Sequence, residues 1–152
     1  MVNYRFSQMQ LTIRTAITKD SPAIASLIQE LAETAGETSP ITATYVQNYI
    51  SQPGSHILLA EEDSQVIGLL SFSIHPNLYH AGNTAMVEEL VVQESRRNHG
   101  VGSALLKRFL NQIETYGCIE ASVSTRCDNN NAIQFYKTHG LVDEALLLEK
   151  HL

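Results

Sequence analysis

Apolar positions along this chain of 152 residues nearly alternate in some segments and recur at helical spacing in others. Residues 11–17 (LTIRTAI) nearly alternate, which predicts a first strand. The next residues offer side chains suited to a helix cap, and Pro22 suits the first helical turn. The predicted helix runs to about Ala35 and presents one apolar face, made of Ile24, Leu27, Ile28 and Leu31.

Five shorter segments fill the middle of the chain. In order, they predict a second helix, the two strands of a hairpin, a polar loop and a further strand. Pro53-Gly54 ends the helix, and Asp63-Ser64 makes the hairpin turn. The predicted bounds are 41–51, 56–62, 65–74, 75–83 and 84–93.

A long amphipathic helix starts at Gly100 and stops before Gly117. After it the pattern predicts a strand, a capped helix and one or two closing strands, over 118–125, 128–140 and 141–152. The element order, β-α-α-β-β-β-α-β-α-β, predicts one mixed α/β domain over residues 1–152. Residues 1–10 are expected to form a loose N-terminal extension.

Composition and charge narrow the classes of function. A hydrophobic content of 43% with 17% charged residues is typical of a soluble globular protein. The formal charge of −6 argues against general nucleic-acid binding, which requires a basic surface. Cys118 and Cys127 lack metal-ligand spacing, and no segment has the apolar length of a membrane span or a signal peptide. We therefore expect a cytoplasmic protein with free thiols, no metal, and no nucleic-acid or membrane partner.

Residues 95–109 (SRRNHGVGSALLKRF) place two arginines and two glycines directly before the long helix. Bare N–H groups at a helix N-terminus bind anions, so this turn is a candidate phosphate site. A dinucleotide fingerprint is weakly supported because Leu105 stands where the third glycine is required. A Walker A loop is not supported, because no Lys-Ser or Lys-Thr pair follows. A purely structural turn remains the alternative.

Two motifs carry a resemblance to a known family. Arg97, Gly100 and Gly102 match the [Q/R]-x-x-G-x-[G/A] motif of the GCN5-related N-acetyltransferases (GNAT). Downstream, NNNAIQFYKTHGL is similar to the family's N-x-x-A-x-x-F-Y-x-x-x-G signature, at Asn129, Ala132, Phe135, Tyr136 and Gly140. The departures are Asn98 for a common glycine, Glu94 for a frequent proline and Leu141 for phenylalanine.

The resemblance implies a largely antiparallel mixed sheet flanked by helices, with a splayed pair of parallel strands at the cofactor site. It also implies acetyl-CoA as cosubstrate. The pyrophosphate would lie on the amides of residues 97–103, and pantetheine would run along a bulged edge over 89–92. The residues expected to bind the cofactor are Leu90, Val91, Val92, Arg97, Asn98, His99, Gly100, Val101, Gly102, Ser103, Asn129 and Tyr136.

Acetylation of an amine requires a base, because an amine with a pKa of about 10.4 is mostly protonated at neutral pH. Glu88 and Glu89 are consecutive on a predicted strand, so we expect them to point to opposite faces and only one to face the site. Glu88 shares its parity with Leu90 and Val92 and is the preferred base. Glu89 is the alternative, and two surface carboxylates remain possible.

Tyr136 matches the general acid of the family. A thiol pKa of about 8.5 and a phenol pKa of about 10 favour hydrogen bonding to the departing thiolate over full proton transfer. The alternative is that Tyr136 only packs in the core.

The resemblance therefore predicts transfer of acetyl to a primary amine by direct attack in a ternary complex. The acidic balance favours a small cationic amine, with specificity expected in residues 36–56 and 75–84. A homodimer is also expected from the resemblance. Two alternatives stay open, namely a non-catalytic acetyl-CoA sensor and a protein or peptide N-acetyltransferase.

Overall fold

A computed structural model describes residues 10–152. Residues 1–9, most of the expected N-terminal extension, lie outside the described residues. The described chain forms one five-stranded sheet in the order β1-β2-β3-β4-β5. Its pairs are antiparallel except the last, which is parallel, as the resemblance implied. The strands are β1 (Thr12–Thr15), β2 (Ser55–Glu62), β3 (Gln65–Asn77), β4 (Gly82–Val92) and β5 (Cys118–Val123).

Four helices cover the two faces of this sheet. They are α1 (Ser21–Thr34), α2 (Ala43–Ile50), α3 (Val101–Thr115) and α4 (Asn130–Thr138). Apolar residues of α1 and α2 form one buried cluster with Leu59, Leu69 and Val91. Residues of α3 and α4 pack on a second cluster that includes Leu58 and Leu70. Because neighbouring strand residues point to opposite faces, β2 and β3 supply both clusters. None of these helices, within residues 10–152, combines the length and the apolar character that crossing a bilayer demands.

Local capping explains two of the helix starts. The Thr42 hydroxyl accepts a hydrogen bond from the Tyr45 N–H (3.1 Å), which begins α2. The Asn129 side chain accepts one from the Ala132 N–H (3.2 Å) and begins α4. Each bond satisfies a donor that the helix itself leaves without a partner.

Two expectations for the irregular segments are wrong. The predicted loop over 75–83 is instead the end of a long hairpin, in which His75 pairs with Thr84 and Asn77 with Gly82. Apolar alternation is missing there because the hairpin extends into solvent, with Leu78 and Tyr79 exposed. Residues 141–152 form no regular structure, so the predicted closing strands are wrong as well. A strand needs a partner edge to satisfy its backbone groups, and a local pattern cannot supply one.

The register between β3 and β4 shifts by one residue beside the predicted site. Ser71 pairs with Glu89, whereas its neighbour Phe72 pairs with Val87, so Glu88 is the extra residue of a β-bulge. We expected a bulged edge over residues 89–92, and the bulge lies one residue before it, at Glu88. Pairing of β4 with β5 ends at Val87 and Val123, and β4 continues past that point to Val92. The parallel pair thus separates, leaving a gap beside the last residues of β4.

Candidate functional site

The turn between β4 and α3 holds two residues in the left-handed region of backbone space. Asn98 has φ 63° and Gly100 has φ 79°. Glycine adopts this conformation freely, and asparagine adopts it better than most other residues. Gly100 is the N-cap of α3, and the first helical hydrogen bond runs from the Ala104 N–H to its carbonyl (3.0 Å). The N–H groups of Val101, Gly102 and Ser103 precede this bond and so have no partner within the helix.

These amides border an open groove with a volume of about 480 Å³. The groove brings together eight of the residues expected to bind the cofactor: Leu90, Val92, Arg97, Asn98, Gly100, Val101, Gly102 and Ser103. Arg96 and Phe135 also line it. Val91 does not, because its side chain belongs to the cluster on the opposite face of the sheet. His99 is exposed outside the lining and turns its Nδ1 toward the Arg97 carbonyl (2.7 Å).

Both arginines at the groove are anchored to the protein. Arg97 Nε donates to the Val92 carbonyl (3.1 Å), and its guanidinium lies 3.8 Å from the Glu30 carboxylate of α1. Glu30 also accepts a hydrogen bond from the Glu94 N–H (3.0 Å). Arg96 pairs with Glu62 of β2 at 3.1 Å. These contacts connect the turn to α1 and β2, and each guanidinium faces one carboxylate.

The edge of β4 that faces the gap presents backbone polar groups. The Gln93 N–H donates to the Ile67 carbonyl of β3 (2.8 Å). Backbone groups alternate in direction along a strand, so those of Leu90 and Val92 point away from β3 and toward the gap. The Val92 carbonyl receives Arg97 there. The resemblance places pantetheine along this edge, and that placement stays a prediction.

Helix α4 brings Tyr136 to the same side of the sheet. Its ring packs against the cluster beneath α3 and lies edge-on to Phe135, with ring centroids 5.2 Å apart. Burial raises the pKa of the Tyr136 hydroxyl. Within residues 10–152 this hydroxyl makes no hydrogen bond, so it can donate to a ligand. Asn129 serves as the cap of α4, one of the two roles its position indicated.

The bulge overturns the expectation that Glu88 and Glu89 point to opposite faces. The Ser71 hydroxyl donates to the Glu89 carboxylate, and the Ser73 hydroxyl donates to the Glu88 carboxylate (2.6 Å). Ser71 and Ser73 lie two residues apart on β3 and share a face. Both carboxylates therefore reach the face covered by α1 and α2, because a bulge places two consecutive residues opposite one partner.

Only Glu89 lines a cavity on that face. The cavity measures about 130 Å³ and is lined by Ile24, Ile28, Ile41, Tyr45, Val46, Tyr49, Ile57, Leu69, Ser71 and Glu89. Burial raises the pKa of Glu89; the nearby Glu88 charge adds to this, and the Ser71 hydrogen bond opposes it. Burial and the Glu89 carboxylate raise the pKa of Tyr49. Glu88 is exposed beside the bulge.

Sequence reasoning missed Ser71 and Ser73 as site residues, and it included Tyr49 only as part of the 36–56 segment expected to give specificity. A signal was present, since two serines at alternate positions interrupt the apolar run of β3. Ser71 is 3% exposed, and a buried hydroxyl in a sheet needs a hydrogen-bond partner. Cys118 and Cys127 are both free, and no cluster of metal-ligating side chains occurs in the described part of the chain.

Comparison with known proteins gives concordant matches. The model of the acetyltransferase (GNAT) family matches residues 23–141. Aminoalkylphosphonate N-acetyltransferase of Salmonella typhimurium is 27% identical over 84% of this chain and 82% of its own. Aminoglycoside N(6')-acetyltransferase type 1 of Klebsiella aerogenes is 26% identical over 88% of this chain and 90% of its own. Among solved structures, a transcriptional regulator from Bacillus halodurans C-125 superposes with a TM-score of 0.83 at 21% identity, covering 94% of this chain and 100% of its own.

Proposed function

Because the chain belongs to the acetyltransferase (GNAT) family, we propose that it transfers acetyl from acetyl-CoA to a primary amine by direct attack in a ternary complex. One observation carries this proposal. The stretch of β4 that continues past the end of its pairing with β5 carries both features: Leu90 and Val92 line the groove at the turn, and Glu89 lines the cavity on the opposite face. A thioester held on one face can meet an amine held on the other through the gap between β4 and β5.

The groove fits the charged and extended parts of acetyl-CoA, which supplies the acetyl thioester. Free N–H groups of Val101, Gly102 and Ser103 point to where a pyrophosphate would bind, and the helix dipole favours negative charge there. The dipole contributes only about 0.3–2 kcal/mol, so direct hydrogen bonds carry most of the affinity. A Cβ at Gly102 would lie 3.6 Å from Phe135, an ordinary contact distance, which agrees with the glycine or alanine that the family motif allows at this position.

Glu89 is the residue we assign as the base. It accepts a hydrogen bond from Ser71, which holds the carboxylate in place, and it lines the cavity that would receive the amine. A base works best when its pKa lies near the working pH, and burial moves the pKa of Glu89 in that direction. The preference for Glu88 rested on strand parity and on the resemblance of its place to that of the base in some polyamine-type acetyltransferases, and the bulge removes the parity argument. Glu88 as the base remains a prediction with weaker support.

Tyr136 is the residue we assign to the departing thiolate. Since its pKa is raised, the hydroxyl stays protonated at neutral pH and full transfer of its proton to a thiolate is further uphill. Donation of a hydrogen bond stabilises the developing charge without that cost. Tyr136 thus acts as a hydrogen-bond donor to the leaving group.

Release of free thiol from acetyl-CoA tests the activity. The protein is assayed with a panel of primary amines, each paired with its N,N-dimethyl analogue, which cannot form a stable amide. Thiol release with the primary amines alone, together with the acetylated product by mass spectrometry, supports the proposal. Saturable acetyl-CoA binding with no release above hydrolysis for any amine or lysine peptide contradicts it and supports a sensor.

The remaining expectations stay predictions. They are a single domain over residues 1–152, a cytoplasmic location, a homodimer, and function without a metal, nucleic acid or membrane.

A further inference from the structure

The cavity at Glu89 combines one carboxylate with a largely apolar wall. Ile24, Ile57 and Leu69 are 2%, 6% and 0% exposed and form its buried floor. Tyr45 is 60% exposed and marks its rim. The lining residues with polar side-chain atoms are Ser71, Glu89, Tyr45 and Tyr49. The cavity therefore selects a ligand that is apolar over most of its surface.

We infer that the acceptor is a monoamine, in which one primary ammonium group at Glu89 is attached to a compact alkyl chain or ring that fills this cavity. The inference rests on the proposed function and names the substrate class of the same site. It differs from the small polycation that the acidic composition favoured.

The volume sets the size of the apolar part. An apolar cavity of about 150 Å³ in another protein accommodates benzene. A cavity of about 130 Å³ therefore holds a ring of that size or a chain of roughly four to six carbons. An aminoglycoside has several polar rings, so the cavity could take no more than one of its substituents.

The charged side chains that line the cavity limit how many ammonium groups the ligand carries into it. The lining contains no lysine, arginine or histidine, and in the described chain Glu89 forms no ion pair. One ligand cation would supply the missing partner of this carboxylate. A second ammonium group held inside the cavity would lie against Ile57 or Leu69 with no counter-charge, which is costly. Glu88 cannot provide one there, because it is exposed outside the cavity.

Specificity constants for a homologous series test this inference. Linear alkylamines from two to eight carbons and benzylamine are compared with putrescine, spermidine and sisomicin by thiol release. We expect kcat/KM to rise about fourfold per methylene until the cavity is full, the factor that corresponds to about 0.8 kcal/mol per buried CH2. The polyamines and sisomicin should be at least tenfold poorer than the best alkylamine.

Variants at Ile41 change the cavity without touching its buried floor. Ile41 lines the cavity just before α2 and is half-buried. Ile41→Ala should move the optimum to amines about two to three carbons longer, and Ile41→Trp should move it to shorter ones. Ile50→Ala is the matched control, since Ile50 is half-buried in α2 but lies outside the lining. It should leave the optimum unchanged.

The outcomes separate this inference from the proposed function. Thiol release that is fastest with polyamines or sisomicin, and that is unchanged by substitutions at Ile41, would overturn the inference. The proposed acetyltransferase activity would still be supported. Amine binding is followed independently by the NMR shifts of the Ile28 and Ile41 methyl groups. Length-dependent binding of alkylamines without thiol release would support the ligand class and overturn the activity.

Discussion

The Ser71 hydroxyl accepts a hydrogen bond from the Glu89 backbone N–H (3.1 Å) and donates one to the Glu89 carboxylate. One buried serine therefore fixes both the backbone and the side chain of the residue after the bulge. The carboxylate is held in the cavity between the sheet and the two N-terminal helices. This relationship distinguishes Glu89 from its neighbour Glu88 and underlies the first two predictions.

Replacing Glu89 by glutamine should lower kcat/KM about 100-fold or more, which is typical of losing a general base. In the wild type, kcat/KM falls when the base is protonated. Because the pKa of Glu89 is raised, this acidic limb should lie above the ordinary glutamate range. Glu89→Gln should abolish the limb in a pH profile measured with one good amine.

Glu88→Gln is the matched control for that profile, since it removes the neighbouring carboxylate outside the cavity. It should change kcat/KM by less than about threefold and move the acidic limb slightly downward, because the Glu88 charge raises the pKa of Glu89. A limb lost in Glu88→Gln and kept in Glu89→Gln would reverse the assignment.

Glu89→Gln should also stabilise the folded protein at neutral pH. A carboxyl whose pKa is higher in the folded state than in the unfolded state binds protons more strongly when folded, so stability falls as pH rises through that interval. Glu89→Gln removes this effect. Its melting temperature should exceed that of the wild type at pH 7, and the difference should shrink below about pH 4, near the unfolded glutamate pKa. An equal difference at both pH values would argue against a raised pKa.

Replacing Tyr136 by phenylalanine should lower kcat at least tenfold and leave the melting temperature nearly unchanged. The ring still packs beneath α3, and only the hydroxyl that would donate to the thiolate is lost. Tyr116→Phe is the control, because Tyr116 lies at the exposed end of α3 and bonds to Gln112 (2.9 Å). Equal activity in Tyr136→Phe and the wild type would limit Tyr136 to packing.

Alanine substitutions at the two glycines of the turn should have different effects on stability and on acetyl-CoA binding. Gly100→Ala requires a positive φ of 79° and should cost about 1–2 kcal/mol of stability. It should also weaken acetyl-CoA binding by displacing the first amides of α3. Gly102→Ala places a methyl group at ordinary contact distance from Phe135 and should be nearly neutral. Thermal unfolding and calorimetric titration with acetyl-CoA measure both effects, and equal losses at the two positions would contradict the backbone argument.

The buried carboxylate at the start of α1 should depend on Arg14. Arg14 donates two hydrogen bonds to Asp20 (2.8 and 2.9 Å), which is 6% exposed, and this holds the pKa of Asp20 below its usual range. Arg14→Met should destabilise the protein by about 2 kcal/mol at pH 7, less than for a fully buried pair because Arg14 is partly exposed.

The lowered pKa of Asp20 determines how the stabilising effect of Arg14 changes with pH. The wild type gains this stability above the unfolded Asp pKa of about 3.9 and loses it as pH falls further. Denaturant unfolding at pH 7 and pH 3 should therefore show a smaller loss for Arg14→Met at pH 3. Arg108→Met, at an exposed position on α3, is the control and should be close to neutral at both pH values.

The helices and the inner strands could be predicted because their signals are local. The apolar spacing of α1 and α3 and the capping side chains of α2 and α4 lie within each segment. The hairpin end at Asn77 and Gly82 was missed because its strands extend past the core, where alternation no longer reports burial. The prediction of strands over residues 141–152 was wrong for a different reason. Apolar residues alone provide no partner strand, and these residues form no regular structure.

By itself the sequence determined the glycine turn at the start of α3, which we propose as the anion site. Gly100 and its neighbours present consecutive backbone amides at one helix start, and that geometry is local. The tertiary structure alone decided which glutamate enters the cavity. A register shift between β3 and β4 turns Glu89 toward the cavity and leaves Glu88 outside, and this register depends on pairing between separate strands. The cavity likewise exists only where α1, α2 and the sheet pack together, so its size and apolar lining could not be derived from any one segment.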